Sequence, residues 1–219
     1  AVLFLQTFRS LLSVGLGFDA DRVLIASLEP ARAGLKGEAM ARFLQDLQLR
    51  VRTVPGVEAV SASSMTPIQN CCWWEVMTID GYTPVPGEES NAFLNSVAPE
   101  FFRAMGTRLL LGRDFGASDT ARSKAVAIVN MSFAKRFFPD GAALGRIVSL
   151  PAVYKASPME IVGIVEDARY IDLRGPTRLA VYFPLSQAPD KPSLVEVLVR
   201  APGSPLTLTS AVRREIHGL

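Results

Sequence analysis

Side chains able to do covalent or metal chemistry are few in this chain, and their spacing brings no reactive set together. The single histidine, His217, falls near the end of the last apolar-periodic segment. An imidazole there interacts favourably with a helix C-terminus, and no partner for general-base work stands near it in sequence. Cys71 and Cys72 are adjacent. Neighbouring cysteines bridge each other only with strain, and two thiols without a nearby histidine do not make a zinc site. They read as small residues of a loop or edge strand, with reactive or intermolecular thiols as the alternative. Asp80, Asp114, Asp119, Asp167 and Asp172 are the carboxylates to weigh. None forms a close pair, so solvated loop positions are expected, and hydrolysis by two facing carboxylates stays open. Ser61, Ser63 and Ser64 lack a Gly-x-Ser-x-Gly elbow, and no Gly-x-x-x-x-Gly-Lys phosphate loop occurs. Gly141 to Arg146 lacks both that spacing and the lysine and reads as a turn into a strand. Asn130-Met131-Ser132 fits a glycosylation acceptor but reads as a helix cap. No catalytic, cofactor-binding or metal-ligating residue is assigned, and a mechanical or binding module is expected rather than an enzyme.

Composition narrows the class. Hydrophobic residues make up 49% of the 219 residues, charged residues 20%, and the net charge is +2. That is an ordinary globular balance without the field that would attract nucleic acid or an acidic membrane surface. No apolar run approaches the ~20 residues that a membrane helix needs. The chain opens Ala1-Val2-Leu3-Phe4-Leu5 without methionine, which reads as a piece of something longer. Val2 to Leu5 fits the tail of a membrane helix or the start of an amphipathic one. Phe4, Leu5, Phe8, Leu11 and Leu12 have helical spacing, so a membrane-proximal helix is expected over 1–18.

The periodicity then predicts a strand over 22–28 and a helix over 38–54, whose Met40, Phe43, Leu44, Leu47, Val51 and Val54 share one face. Pro55-Gly56 is expected to stop that helix, the glycine serving as its left-handed cap. A strand over 57–63 completes a β-α-β unit, its two strands parallel neighbours or separated by one other strand. The middle of the chain has a different texture. Strands are expected over 74–79 and 93–98, then a short helix from Pro99 to Met105 with the proline in its first turn, and strands over 108–111, 125–129 and 146–150. Asn130 is expected to cap a helix over 131–138. From residue 159 the regular texture returns, with strands over 160–166, 181–184 and 194–200. Ser204-Pro205 is expected to open a final helix. The fold class is therefore mixed α/β: a β-α-β-type subdomain made from both chain ends (19–64 and 158–219), with a smaller mixed α/β subdomain inserted over 65–157.

Val97 to Val148 carries the most specific pattern: Phe101-Phe102, Met105-Gly106, Gly112-Arg113-Asp114-Phe115, Val129-Asn130, Phe137-Phe138-Pro139 and Leu144-Gly145-Arg146. It is a pattern of packing and turns. Gly106, Gly112 and Gly145 read as backbone devices, and Phe101, Phe102, Phe115, Phe137 and Phe138 as core. Arg113-Asp114 reads as a structural turn, because loop polar groups usually bond local backbone. Trp73 and Trp74 are the candidate partner contact, aromatic pairs being common interface anchors.

This order of motifs resembles the extracytoplasmic core domain of MacB-type ABC transporter permeases. Gly17-Phe18-Asp19 with Val23-Leu24, Val54-Pro55-Gly56-Val57, Ile161-Val162-Gly163-Ile164-Val165-Glu166-Asp167 and Val181-Tyr182-Phe183-Pro184-Leu185 extend the likeness over nearly the whole chain. In style it is similar to the duplicated permeases common in acidobacteria, and Cys71-Cys72-Trp73-Trp74 departs from the typical pattern. The resemblance implies a porter-like subdomain built from both ends and a sabre-like insert, outside the cytoplasmic membrane and between the first two membrane helices of a permease. It further implies no covalent chemistry and no cofactor. The implied partners are a cytoplasmic ATPase reached through the rest of the permease, the membrane through flanking helices, and a second permease copy or a lipoprotein, but no nucleic acid. The alternative is an extracytoplasmic binding or adaptor module for a lipid, peptide or lipoprotein. In the family a strand follows the last helix, and its absence here would leave that helix frayed.

Overall fold

The computed structural model describes residues 16–35, 37–66, 73–84, 90–169, 177–188 and 194–218. The helix expected over 1–18 lies outside them apart from its last three residues, as do Cys71, Cys72 and Asp172. No helix among the described residues is long and apolar enough to cross a membrane.

The amphipathic segment forms helix α1, Gly37–Arg52. Met40, Leu44, Leu47 and Val51 are its buried face, each stabilising the fold by roughly 1.5–3 kcal/mol through burial. Strands β1 (Val23–Leu28) and β2 (Ala59–Ser63) flank it in sequence. They are not neighbours in space. The near-C-terminal strand β11, Val195–Arg200, lies between them and is antiparallel to both, with Ile25, Leu198 and Ser61 in register. β1 and β2 are thus parallel and separated by one strand, one of the two arrangements the spacing allows. Helix α4 (Thr209–His217) packs beside α1, and Val60, Val197, Val199, Leu208 and Val212 complete the core beneath the two helices.

Three terminus assignments differ from expectation. α1 ends at Arg52, so Gly56 is not its cap. Gly56 has φ +89° and follows Pro55 in a turn closed by the Val57 N–H donating to the Val54 carbonyl at 3.2 Å. Proline second and a positive-φ glycine third are the requirements of a type II turn. Pro99 precedes the short helix α2, Phe101–Met105, by two residues, with Glu100 in the left-handed region between them. Ser204 makes no side-chain cap. Pro205–Leu208 is a 3-10 turn that leads into α4.

The remaining strands are β3 (Trp73–Val76), β4 (Thr78–Ile79), β5 (Asn91–Val97), β6 (Leu109–Gly112), β7 (Val126–Asn130), β8 (Ile147–Ser149), β9 (Met159–Val165) and β10 (Ala180–Pro184). Where one strand was expected over 74–79, Met77 separates β3, which pairs with β5, from β4, which pairs with β8. The described strands form one mixed sheet in the order β1-β11-β2-β5-β10-β7-β9-β8-β4, with β3 on β5 and β6 on β9. β5–β10 and β7–β9 are parallel. Parallel strands need cover on both faces, and they have it. Ala127, Val129, Val181 and Phe183 face helix α3 (Met131–Phe137), while Val126, Ile128, Ala180 and Tyr182 face α2.

The fold is the mixed α/β class expected. The texture change near residue 158 does not coincide with a change of sheet partner. β9 and β10 sit among β5, β7 and β8, and β11 alone of the later strands joins β1 and β2. The two groups of strands meet at β2–β5, where Ser63 and Val97 are in register and the Ala98 N–H donates to the Ala62 carbonyl at 2.7 Å.

Leu47→Ala, at 0% exposure, should lower stability by about 2–5 kcal/mol through the cavity it leaves. Leu49→Ala on the same helix, at 64% exposure, should stay within about 0.5 kcal/mol. Urea denaturation of the two variants checks both figures.

Candidate functional site

The glycine-turn motif builds a close crossing of two backbones. Gly112, at the end of β6, has φ +76°, and a Cβ on it would lie 2.2 Å from the Val162 carbonyl oxygen and 2.9 Å from the Gly163 Cα. A Cβ on Gly163 would lie 2.5 Å from the Arg113 carbonyl oxygen. Each residue is glycine because the other strand's backbone fills the space. The crossing falls where the β7–β9 register shifts, Ala127 facing Ile161 but Ile128 facing Gly163, so that Val162 bulges out. The Arg113 N–H donates to the Val162 carbonyl at 2.9 Å.

Beyond the crossing, Arg113 turns back on its own loop. Its guanidinium donates from Nη1 to Asp119 Oδ2 at 2.7 Å and from Nη2 to Asp119 Oδ1 at 2.8 Å. This forked pairing satisfies both carboxylate oxygens in a fixed plane, and the Gly116 N–H adds a third bond at 2.8 Å. Asp119 is therefore a buried structural carboxylate, not the solvated one expected. Hydrogen bonding from Arg113 is the main cause holding its carboxyl below the usual range. Asp114 accepts from the Phe115 N–H at 2.7 Å. Burial is the main cause raising its pKa, and the charges of Glu100 and Asp119 add to it. Phe115 is buried against Phe102.

Asn130 is a fully engaged buried hub at 1% exposure. Its Oδ1 accepts from the Phe133 N–H at 3.1 Å, capping α3, and from the Ala180 N–H at 2.9 Å. Its Nδ2 donates to Asp167 Oδ1 at 2.6 Å and to the Arg178 carbonyl at 2.8 Å. Asp167 also accepts from the Ser132 N–H and hydroxyl, so this carboxylate too is a structural clasp. Gly106 is the left-handed C-cap of α2 at φ +75°. Gly145 has φ +81° in open space, its N–H donating to the Ile161 carbonyl.

Trp73 and Trp74 are both half-buried and point to opposite faces of β3. Trp73 packs on Tyr154 and edge-on to Phe183, with its Nε1 donating to Glu75 and to the Tyr154 hydroxyl at 3.2 Å each. Trp74 lies edge-on to Phe93, and the exposed Arg178 guanidinium stands 5.5 Å from its ring centroid. The pair is therefore not one exposed aromatic patch. β3 pairs with β5 on one side.

The sequence reading missed a second set of anchors, although Gly17-Phe18-Asp19 was in view as a motif. A Cβ on Gly17, φ +74°, would fall 1.9 Å from the Asp167 carbonyl oxygen. The Gly17 carbonyl accepts from Thr107 Oγ1 at 2.7 Å. The Leu16 carbonyl accepts from the Arg169 N–H at 2.9 Å, and the Asp19 N–H donates to the Met105 carbonyl at 2.8 Å. Asp19 Oδ2 accepts from Arg200 Nη2 at 2.7 Å, and Arg200 and Arg22 share Glu58. Only the type of Gly17 hinted at this in the sequence. Its partners are more than 80 residues away.

Among the described residues, no group of three or more His, Cys, Asp and Glu side chains could hold a metal. His217 is exposed at the end of α4. A cleft of about 350 Å³ lies beside Tyr154, Met159, Phe183 and Gln187. Gln187 is committed to backbone groups of residues 120, 124 and 126. The arrangement holds shape and offers surfaces. Of the carboxylates weighed, Asp114, Asp119 and Asp167 are bonded to backbone N–H groups, Asp119 to Arg113 as well, while Asp80 is exposed.

The MacB-like periplasmic core domain, a described protein family, matches residues 2–216. Two proteins described as macrolide export ATP-binding/permease protein MacB are similar over part of the chain. One, from Rhodopseudomonas palustris, is 30% identical over 117 residues, 48% of this chain and 17% of that protein. The other, from Chromobacterium violaceum, is 29% identical over 75 residues, 34% of this chain and 11% of that protein. This chain thus spans a small part of the length of both. The crystal structure of the periplasmic region of MacB from Actinobacillus actinomycetemcomitans has the same fold, with a TM-score of 0.56 at 14% identity over 95% of this chain and 90% of that one.

Gly112→Ala combines a left-handed backbone with a 2.2 Å clash and should cost more than about 3 kcal/mol or abolish soluble expression. Gly145→Ala has the same backbone problem in open space and should cost about 1–2 kcal/mol. Soluble yield and urea midpoints separate the two.

The two loop carboxylates should respond to pH with opposite sign. Asp119 has a depressed pKa, so its stabilisation is present above the unfolded value and is lost as pH falls through the depressed one. Asp119→Asn should therefore destabilise at pH ~7 and much less in acid. Asp114 has a raised pKa, so its ionisation opposes folding above that value and the cost disappears on protonation. Asp114→Asn, which keeps the Oδ1 acceptor, should be neutral or stabilising at pH ~7 and lose that advantage in acid.

Proposed function

This chain belongs to the MacB-like periplasmic core domain family, and from that membership we propose that it is the non-catalytic extracytoplasmic domain of an ABC transporter permease. The observation that carries the reading is the family match over residues 2–216. Membrane helices on either side of the domain would anchor it in the inner membrane, and a cytoplasmic ATPase would act on it through the rest of the permease. Its task is to transmit ATP-driven motion of membrane helices and to contact cargo or a partner protein. The relatives described as macrolide exporters favour outward transport.

The domain works as two subdomains, porter-like and sabre-like. The strand pairing favours a mechanical boundary along β2–β5, which leaves β9 and β10 moving with the 65–157 segment. A shared core under α2 contributes to the stiffness that lets the two shift together. The binding-module reading is favoured by one observation: among the described residues β3 pairs with β5 alone and offers its other edge, and its half-buried Trp74 has exposed Arg178 beside the ring. A lipoprotein or a second permease copy that adds to that edge would meet Trp74 from the α2 side of the sheet.

The parent permease, purified with its neighbouring ATPase in lipid, should hydrolyse ATP, and residues 1–219 alone should not. Hydrolysis by the isolated chain would overturn the reading. For partner contact, Trp74→Ala should weaken capture of a co-expressed lipoprotein while lowering the melting temperature less than Trp73→Ala does. Trp73→Ala should lower the melting temperature, because that ring is bonded into the core. Equal capture by wild type and Trp74→Ala would remove β3 as the contact.

A further inference from the structure

Residues 16–19 touch the ends of three elements that are far apart in sequence. The Leu16 carbonyl and the Gly17 backbone lie on residues 167–169 after β9. The Gly17 carbonyl and the Asp19 N–H are bonded to Thr107 and Met105 at the end of α2. The Asp19 carboxylate is bonded to Arg200 at the end of β11. Phe18 packs into the core beneath α2. Gly106 completes the seat, because a Cβ there would lie 2.9 Å from Arg200 Nη1 and 3.0 Å from the Asp19 Cβ. The group of strands β1, β11 and β2 follows residue 19 covalently through β1. The other group, which carries α2, β9 and β10, is joined to residues 16–19 by these non-covalent contacts.

We propose that residues 16–19, seated against Thr107, Asp167 and Arg200, form the clamp through which displacement of the preceding segment reaches both groups of strands at once. The proposal rests on the transmission role above and assigns it to named contacts. Asp19–Arg200 fixes the direction in which the chain turns into β1. Gly17 against Asp167, with the Thr107 hydroxyl, carries the load to the β5–β10–β7–β9 group. Without the clamp, that group would be coupled through the β2–β5 junction and the side-chain core alone, and would lag.

The test uses the full parent permease with its ATPase in lipid nanodiscs, in a Cys71→Ser/Cys72→Ser background. A fluorescent donor is placed in turn at exposed Leu49 on α1 or at exposed Val153, which follows β8, and acceptors are placed on lipid headgroups. ATP with vanadate should change energy transfer from both donors in the unmutated clamp. In Thr107→Val/Asp19→Asn, a pair of near-isosteric changes, the Val153 response should fall about twofold or more while the Leu49 response and ATP hydrolysis persist. Thr107→Val alone should act in the same direction, more weakly. Arg108→Gln, which breaks an exposed ion pair with Glu166 outside the clamp, should respond as the parent does. Undiminished Val153 response in the double variant would overturn the clamp and leave the transmission role standing. No response from either donor in the parent would overturn the transmission role itself.

Discussion

Phe101 and Phe102 project from a five-residue helix onto Tyr182, with ring centroids 6.1 and 4.9 Å away. Ala59 of β2 and Leu198 of β11 belong to the same core as Phe93, Val126 and Ile128. The rest of the molecule depends on this shared burial. A helix of five residues is far below the length that is stable in water, so α2 exists because its apolar side chains are covered. What covers them comes from both groups of strands. The two groups meet in register at Ser63 and Val97, and α2 packs on both where the backbone ladder is thin.

The polar groups follow from that packing. Irregular segments that cross a buried sheet carry backbone N–H and C=O groups that must find partners. Asn130 and Asp167 supply them around the start of α3, Asp119 around the Gly112 loop, and Thr107 around Gly17. In each case a side chain that could have done chemistry is spent on closing a turn. The same economy explains the two glycine contacts. At Gly112 and at Gly17 a carbonyl oxygen of the β9 chain occupies the place of a Cβ, so chain direction is fixed by steric exclusion as well as by hydrogen bonds. A domain built this way is suited to bearing load, the role proposed for it above.

Helix α1 was readable because an apolar stripe at helical spacing needs no knowledge of its partner. β7 and β9 are readable as strands because strands covered on both faces are short continuous apolar runs. Asn130 and Gly106 were readable as helix ends because capping is local. The strand expected over 74–79 is two strands in the structure, since nothing local marks Met77 as the point where β3 leaves β5 and β4 turns to β8. Pro55-Gly56 follows the helix end as expected but is not its cap, because the two residues serve a type II turn a few positions beyond it. Asp119 was expected in solvent, since its arginine partner is recognisable only once the loop has folded back.

The sequence alone determined the mixed α/β class, most element positions, five of the aromatic core residues and the family resemblance. These rest on periodicity, turn chemistry and motif order, which are short-range properties of the chain. Tertiary structure alone decided the order of the strands, the placing of β9 and β10 beside β7 and β5, and the opposite faces taken by Trp73 and Trp74. It also decided that residues 16–19 are gripped by three distant segments. The physical reason is that strand pairing and close backbone approach depend on partners tens to hundreds of residues away, and no local pattern records which partner wins.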